Sequence, residues 1–435
     1  MFKSKVDLSR YAKEKPVYNG SVQQLYHCSE YPEYMVCRTT SGGSVFDVGT
    51  IFSIPGSDTS RTAIRHSIYT LLGSKEEWAG IKKDLPGMFG ENEEFLNFLH
   101  GRLLDRYAES GADTHHAGMI DGETGEVLGD SFPASPSPYV LVKKYNVMKP
   151  RRIRHFTNNL WDYSQFSNAD RYVVPLENIV RFGVVPGSSV YRKYAGMSEK
   201  DRKCYLDELG LTGEMVPWLP FSVPTVDFTT KYEPEDRNLS LQEALYICGG
   251  GGETLLDIIR MSILGSVLVH RYFGRLGLFL WDLKWEIARD GDRLVFVDTI
   301  DTDSIRVTTE VIYRGRTFYV SINKQSMRDY YKIMHPKWFE ATREAKKEAA
   351  VSGTSFLIHL KDGQDKGRYP VTPEVDGRFI SLQEDKFNAL VSYIYGHHSA
   401  GATMEKLKSI ALKEIQYYEE NGALEEYFRL NGAGA

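Results

Sequence analysis

Residues 281–307, WDLKWEIARDGDRLVFVDTIDTDSIRV, decide how the chain is read. The stretch has the pattern of two short strands joined by a turn. Lys284 and Glu286 are two residues apart, so on a strand they share a face, and Asp298 lies on the returning strand. Asp290 and Gly291 give an Asp-Gly turn signal, and Leu294, Val295, Phe296 and Val297 form a run suited to a buried strand. A hairpin of this kind brings Glu286 and Asp298 close together.

Two neighbouring carboxylates repel, so without a cation one of them is forced towards its protonated form. A magnesium ion held by one or two carboxylates and by nucleotide phosphates relieves that cost, and a nearby lysine adds positive charge for the phosphates. Lys284, Glu286 and Asp298 are therefore a candidate Mg-ATP site. The plainer alternative is an exposed hairpin whose acids and lysine are only solvated.

The surrounding composition is that of an ordinary globular protein. With 435 residues, 42% of them hydrophobic and 26% charged, the chain can bury a large core and divide into two domains with an appendage. A net charge of -5 gives no overall basic footprint, so nucleic acid is not expected as a partner. Cys28, Cys37, Cys204 and Cys248 are scattered without metal-ligand spacing, which suggests a reducing compartment. The N-terminal sequence has no apolar signal core, and no apolar run reaches the roughly 18 residues of a membrane span. A cytoplasmic protein without membrane contact is expected.

Residues 17–54 alternate apolar and polar between turn signals, as a small antiparallel sheet does, with Gly20 in the first turn. A helix is expected over 59–72 and another over 91–109, where Phe95, Leu96, Leu99, Leu103 and Leu104 recur at helical spacing. His115 and His116 are adjacent, so on a strand they point oppositely and do not read as a metal pair. Residues 139–147, YVLVKKYNV, form a strand candidate carrying Lys143 and Lys144. The basic and aromatic segment 148–172 reads as a solvated loop.

Ser240 opens an S-L-Q-E capping box, and residues 254–275 are a core-facing helix candidate. The glycines at 249–252 lack the Gly-Lys-Ser/Thr of a phosphate loop and read as a connection between helices. From about 340 onward the pattern is a helix, a strand over 355–360, a Gly/Pro loop and helices near 382–395 and 404–430. This region is expected to serve packing or assembly into a homo-oligomer.

D-x-K-x-E at Asp282, Lys284 and Glu286, the strand ending in Asp298, and T-D-S-x-R over 302–306 resemble the signature of the phosphoribosylaminoimidazole-succinocarboxamide (SAICAR) synthase family. Further similar elements follow in order: SVFDVGTIFSIPG over 44–56, ESGADTHHAG over 109–118, and IVRFGVVPGSSVYRKY over 179–194. Two more are the stretch 220–244, with Lys231 and Asp236, and FYVSINKQSMRDYY over 318–331.

The resemblance implies an α+β fold of two domains, a small antiparallel β domain and a larger α+β domain, of the ATP-grasp or kinase-like kind, here with a C-terminal extension. The corresponding division is 1–175, 176–339 and 340–435. It implies an ATP-dependent ligase of purine biosynthesis that joins carboxyaminoimidazole ribonucleotide, a sugar-phosphate nucleotide, to L-aspartate, giving SAICAR, ADP and phosphate.

By the same resemblance Glu286 and Asp298 hold Mg2+. Gly20, Lys143, Lys144 and Lys284 contact ATP phosphates, and Glu177 lies by the adenine. Arg181, Gly187, Ser188, Lys231, Asp236, Ser304, Arg306, Lys324 and Arg328 bind the anionic substrates, with Lys284 and Arg306 closest to the chemistry. Lys324 and Arg328, four residues apart, read as an anion clamp on a helix.

Three departures stand out. Ser21 and Gln23 occupy positions where the family has phosphate-binding lysines, Thr299 replaces a second acid, and Asp303 lacks a preceding proline. They leave two alternatives open, a paralogous amide ligase with another carboxylate or amine, or a nucleotide-binding protein without catalysis.

Overall fold

The computed structural model describes residues 4–11, 13–90, 92–234 and 236–433. Glu91, with which the expected helix over 91–109 begins, and the first three residues lie outside them.

The chain opens with β1 (Tyr18–Asn19), β2 (Gln23–His27) and β3 (Tyr34–Thr39), then a small ribbon of β4 (Gly42–Ser44) and β5 (Thr50–Ser53). Four helices follow: α1 (Ser57–Gly73), α2 (Lys75–Phe89), α3 (Glu93–Leu99) and α4 (Arg102–Ser110). The expected helix over 91–109 is thus two. The break falls at His100 and Gly101, where Gly101 takes φ 150°, outside the helical region.

Strands β6 (His116–Ile120), β7 (Val127–Leu128) and β8 (Tyr139–Lys143) complete an antiparallel sheet of order β1-β2-β3-β8-β6-β7. Residues 148–172, expected as a loop, form the exposed hairpin of β9 (Arg151–His155) and β10 (Asn158–Asp162) and a 3₁₀ turn. Arg151 pairs with Asp162 and Arg152 with Asn159 inside this hairpin.

The larger sheet is built from β11 (Arg171–Val173), β12 (Leu176–Gly183), β13 (Pro220–Thr230) and β14 (Asn238–Leu239), with α5 (Ser189–Ala195) and α6 (Glu199–Glu208) between β12 and β13. After α7 (Leu241–Ile247) and α8 (Gly251–Gly274) come β15 (Leu278–Asp290), β16 (Arg293–Val297), β17 (Ile305–Tyr313) and β18 (Arg316–Ser321). The order is β14-β13-β12-β15-β17-β18, and β11 and β16 both pair with the distal half of β15. The Ser240/Glu243 capping box starts α7 as expected, and Gly249 and Gly250 connect α7 to α8.

Strand β15 is the axis of this sheet. One of its faces packs on α8, a helix whose long buried stripe runs from Leu255 to Phe273. Gly265 makes the close approach possible, since a Cβ there would stand 2.8 Å from Phe296. The Trp285 indole N–H donates to Ser266 Oγ at 2.8 Å, so the buried ring is satisfied as well as packed.

Beyond β18 the chain is helical among the described residues: α9 (Gln325–Met334), α10 (Pro336–Ser352), α11 (Phe356–Asp365), α12 (Gly377–Ile394), α13 (Ala400–Glu420) and α14 (Leu424–Asn431). The strand expected over 355–360 is the first part of α11. A short apolar run does not distinguish helix from strand by itself, and Leu360 here buries against Ala345 of α10 and Tyr369. The C-terminal helices pack onto the rest of the protein: α12 lies against α1, and α13 against β17. Lys386 of α12 and Glu414 of α13 form a buried ion pair at 2.5 Å, with Ser321 O, Ser326 Oγ and Gln383 Oε1 also accepting from the ammonium.

Lys386→Met leaves Glu414 buried without its cation and is expected to cost about 3–5 kcal/mol, read as a lowered urea midpoint. Lys386→Met combined with Glu414→Leu is expected to recover most of that loss; an unchanged midpoint in the single variant would show that the pair does not bind the extension to the sheet.

Candidate active site

Alternation along β15 places Asp282, Lys284 and Glu286 on the face opposite α8, in a row with roughly 6.6 Å between successive side chains. The neighbouring strands supply the same face. Arg181 of β12 is in register with Asp282, Ile179 with Lys284, and Asn178 with Trp285, which puts Glu177 beside Glu286. Across β13, Thr225, Asp227 and Thr229 occupy the matching positions, with Lys231 just beyond. Arg306 of β17 lies opposite Asp282 on the other side.

Two groups of charge result. Around Glu286, Lys284 Nζ is 2.5 Å from Glu177 Oε1 and 3.7 Å from Glu286 Oε1, and the Lys231 ammonium contacts Glu286 directly. Thr229 Oγ donates to the other oxygen of Glu177 at 3.1 Å. Around Asp282, the buried Arg181 forks onto Asp227 at 2.5 and 3.0 Å and reaches Asp282 at 3.3 Å, while Arg306 binds Asp282 at 2.9 Å. Arg181 also lies 3.5 Å from Ser188 Oγ, which begins α5 directly after the exposed Gly187.

The hairpin delivers Asp298 immediately after Val297, the register partner of Glu286. Burial, and then the negative charge of Asp298, push the Glu286 carboxyl up to about 8 against the pull of Lys231. For Asp298 the loss of water acts upward, but the hydrogen bond from Glu286 and the charges of Lys231, Lys284 and Arg65 prevail and hold it below the usual carboxylate range. Glu286 is thus the member of the pair that favours the protonated form, its hydroxyl hydrogen-bonded to Asp298, the outcome expected for two crowded carboxylates. Asp236 is raised by burial and by the charge of Glu177, so it belongs to the same neighbourhood.

Glu286 and Asp298 are the two crowded carboxylates of the site. Among the described residues no group of three or more His, Cys, Asp and Glu side chains is arranged to hold a metal alone. Magnesium is content with one or two carboxylates because waters and phosphates complete its shell.

A third group lies beside the first two. Asp303 is 3.3 Å from Lys324 Nζ and 3.6 Å from the buried Arg61 of α1. Ser304 Oγ is tied to the backbone of Asp301, whose carboxyl is lifted to about 6 by burial and by Asp303. A cavity beneath this group is lined by Arg61, Asp303 and Lys324 and closed by Gln383, Lys386 and Phe387 of α12.

Several expected residues stand differently. Lys143 Nζ pairs with Asp290 at 3.1 Å, at the turn end of β15 and roughly 13 Å along the strand from Glu286. Lys144 is exposed, its backbone N–H given to Glu33 O. Neither joins Lys284. Lys324 and Arg328 do not close as a clamp: Lys324 turns to Asp303, while Arg328 binds Gln325 at 3.3 Å and is held down by burial and the neighbouring charge of Arg306. The cations that face each other are Arg306 and Arg328. Glu177, expected by the adenine, has its carboxylate engaged by Lys284.

Gly20 forms a plain turn, its N–H donating to Gln23 O at 2.8 Å. Gln23 itself reaches Thr299 Oγ and accepts from Cys37 Sγ at 3.3 Å, which docks this loop next to Asp298. Asp227, Asp282 and Arg61 were not among the expected site residues. The first two could have been found from strand alternation, in V-D-F-T-T and D-x-K-x-E, whereas nothing local marks Arg61.

The sequence model of the SAICAR synthetase family matches residues 144–345, the part that contains all of β12 to β18. Over these residues the chain is similar to the SAICAR synthetase family. A relative in Archaeoglobus fulgidus is 27% identical over 264 residues, covering 60% of this chain and 72% of that protein. The phosphoribosylaminoimidazole-succinocarboxamide synthase of Thermoplasma acidophilum is 29% identical over 238 residues, covering 54% and 68%. A solved SAICAR synthase structure superposes with a TM-score of 0.50 at 15% identity, covering 91% of this chain and 98% of that one, which supports the α+β fold. Among the described residues no helix is long and apolar enough to cross a membrane.

Because Glu286 titrates near 8 in the folded protein and near 4.5 unfolded, the folded state binds the extra proton between these values and loses stability as pH rises through that window, by at most roughly 1.4 kcal/mol for each pH unit. Glu286→Gln is expected to flatten the decline, measured as the urea midpoint from pH 5 to 8.5; equal slopes for both proteins would contradict the shared proton.

Proposed function

We propose that the protein is an ATP-dependent ligase that joins carboxyaminoimidazole ribonucleotide to L-aspartate, giving SAICAR, ADP and phosphate. The observation that carries this reading is the sheet face that bears Glu286, Lys284, Arg181 and Arg306, with Asp298 delivered to it just after β16 and Arg328 brought beside Arg306 from α9. Such a face suits a reaction in which a triphosphate, a sugar phosphate and several carboxylates meet.

In the proposed sequence the imidazole carboxylate attacks the γ-phosphorus of ATP, forming an acyl phosphate and releasing ADP. The aspartate amine then attacks the acyl carbon, phosphate leaves with the C–O bonding pair, and the amine gives up a proton. Glu286 and Asp298 would hold Mg2+, which when bound neutralises phosphate charge. Lys284, and Lys231 once released from Glu286, would face the transferring phosphoryl group. Arg306 and Arg328 would grip anionic substrate groups, with Ser188, Gly187, Ser304 and Lys324 at the margin and Asp236 and Glu177 orienting the lysines. Arg181 already neutralises Asp227 and Asp282, so its role is to hold Asp282 and hence Arg306 in place.

Water-soluble substrates fit a cytoplasmic enzyme, and the division at 175 and 339 is proposed to separate the nucleotide-covering sheet, the sheet bearing the site, and the helical extension. A paralogous ligase with another amine or carboxylate is the second reading. It is favoured by Gln23, a neutral side chain tied to Thr299 where a lysine is usual, and by the α12 wall of the cavity.

With Mg-ATP, L-aspartate and carboxyaminoimidazole ribonucleotide, mass spectrometry is expected to show ADP and the succinocarboxamide product in equal amounts. Asp298→Asn is expected to lower kcat by about 10²-fold or more with an unchanged circular dichroism spectrum. ATP binding without product, while another amine or carboxylate is consumed, would move the assignment to the second reading.

A further inference from the structure

We propose that Tyr69 and His115 are positioning residues that preset Asp298 for a divalent cation, an inference that rests on the metal reading of Glu286 and Asp298 above. Asp298 has φ +67°, in the left-handed region that residues with side chains seldom adopt. A backbone held there needs support from its surroundings. The support is visible on its carbonyl oxygen, which accepts from the Tyr69 hydroxyl at 2.7 Å and from His115 Nε2–H at 3.0 Å.

Both donors are buried, Tyr69 at 2% exposure and His115 at 7%. They arrive from different elements, Tyr69 from α1 and His115 from the residue before β6. Each is fixed in turn. The Tyr69 ring stacks on His116 at 5.0 Å with 7° between the planes, and His116 contacts His66 at 2.8 Å. The His115 backbone N–H donates to Phe296 O at 2.9 Å, tying it to the strand that carries Asp298. With the carbonyl clamped on one side, the Asp298 carboxylate is left on the other, where it meets Glu286.

This arrangement explains why adjacent histidines occur here without forming a metal pair. His115 turns to the carbonyl of the acid and His116 braces the tyrosine. Groups that orient a metal ligand typically change metal affinity by 10–100-fold when removed.

The test is Mn2+ binding in the presence of ADP, followed by electron paramagnetic resonance, for the wild type, Tyr69→Phe, His115→Leu, His115→Gln and Asp298→Asn. Phenylalanine keeps the stacked ring and removes only the hydroxyl, so Tyr69→Phe guards against loss of folding. It is expected to weaken Mn2+ binding by about tenfold with a nearly unchanged thermal midpoint and unchanged ADP affinity without metal. His115→Leu is expected to do the same, and His115→Gln, which retains an N–H donor, to recover part of the affinity.

Wild-type affinity in Tyr69→Phe and His115→Leu, while Asp298→Asn loses the ion, would overturn the proposal and leave the metal reading standing. Mn2+ binding that is absent from the wild type, or unaffected by Asp298→Asn, would remove the metal reading and this inference with it.

Discussion

The structure depends on crowding two carboxylates, Glu286 and Asp298, within reach of two lysines on one face of a sheet. Left alone, such a pair repels; here it shares a proton, with Glu286 raised to about 8 and Asp298 lowered. Lys231 and Lys284 reduce the cost without removing it, because a third acid, Glu177, lies on Lys284 and also acts on Lys231. On the proposed function, a divalent cation and phosphates would relieve the repulsion that remains.

The rest of the fold makes that crowding possible. Alternation on β15 puts the charged row on one face and Leu283, Trp285 and Ile287 on the other, where α8 covers them. Gly265 lets the helix come close, and Ser266 satisfies the tryptophan indole. A rigid back keeps the front from relaxing by moving apart. The flanking strands then add Arg181, buried and fully engaged by Asp227, Asp282 and Ser188, and Arg306, which binds Asp282 through one nitrogen.

Much of this was legible in residues 281–307, because period-two alternation and an Asp-Gly turn are local signals. The hairpin, the proximity of Glu286 and Asp298 and the shared proton follow from them. What was not legible depends on distant packing. Lys143 lies on the expected strand, yet it is aligned with Asp290 rather than Glu286, and only the register between sheets decides that. Lys324 and Arg328 have helical spacing, but Asp303 captures the lysine. Arg61 and the wall from α12 enter from segments remote in sequence. The apolar run at 355–360 became a helix because its partners, Ala345 and Tyr369, are helical or loop residues and no strand edge lies beside it among the described residues.

The most direct test of the shared-proton site is the number of protons released when Mg-ADP binds at pH 7, obtained by calorimetry in buffers of different ionisation enthalpy. A cation that takes the place of the shared proton should release about one proton per ion bound, and Glu286→Gln should release none at that step. Binding of equal strength with no proton released, the same in both proteins, would show that the cation does not sit between Glu286 and Asp298.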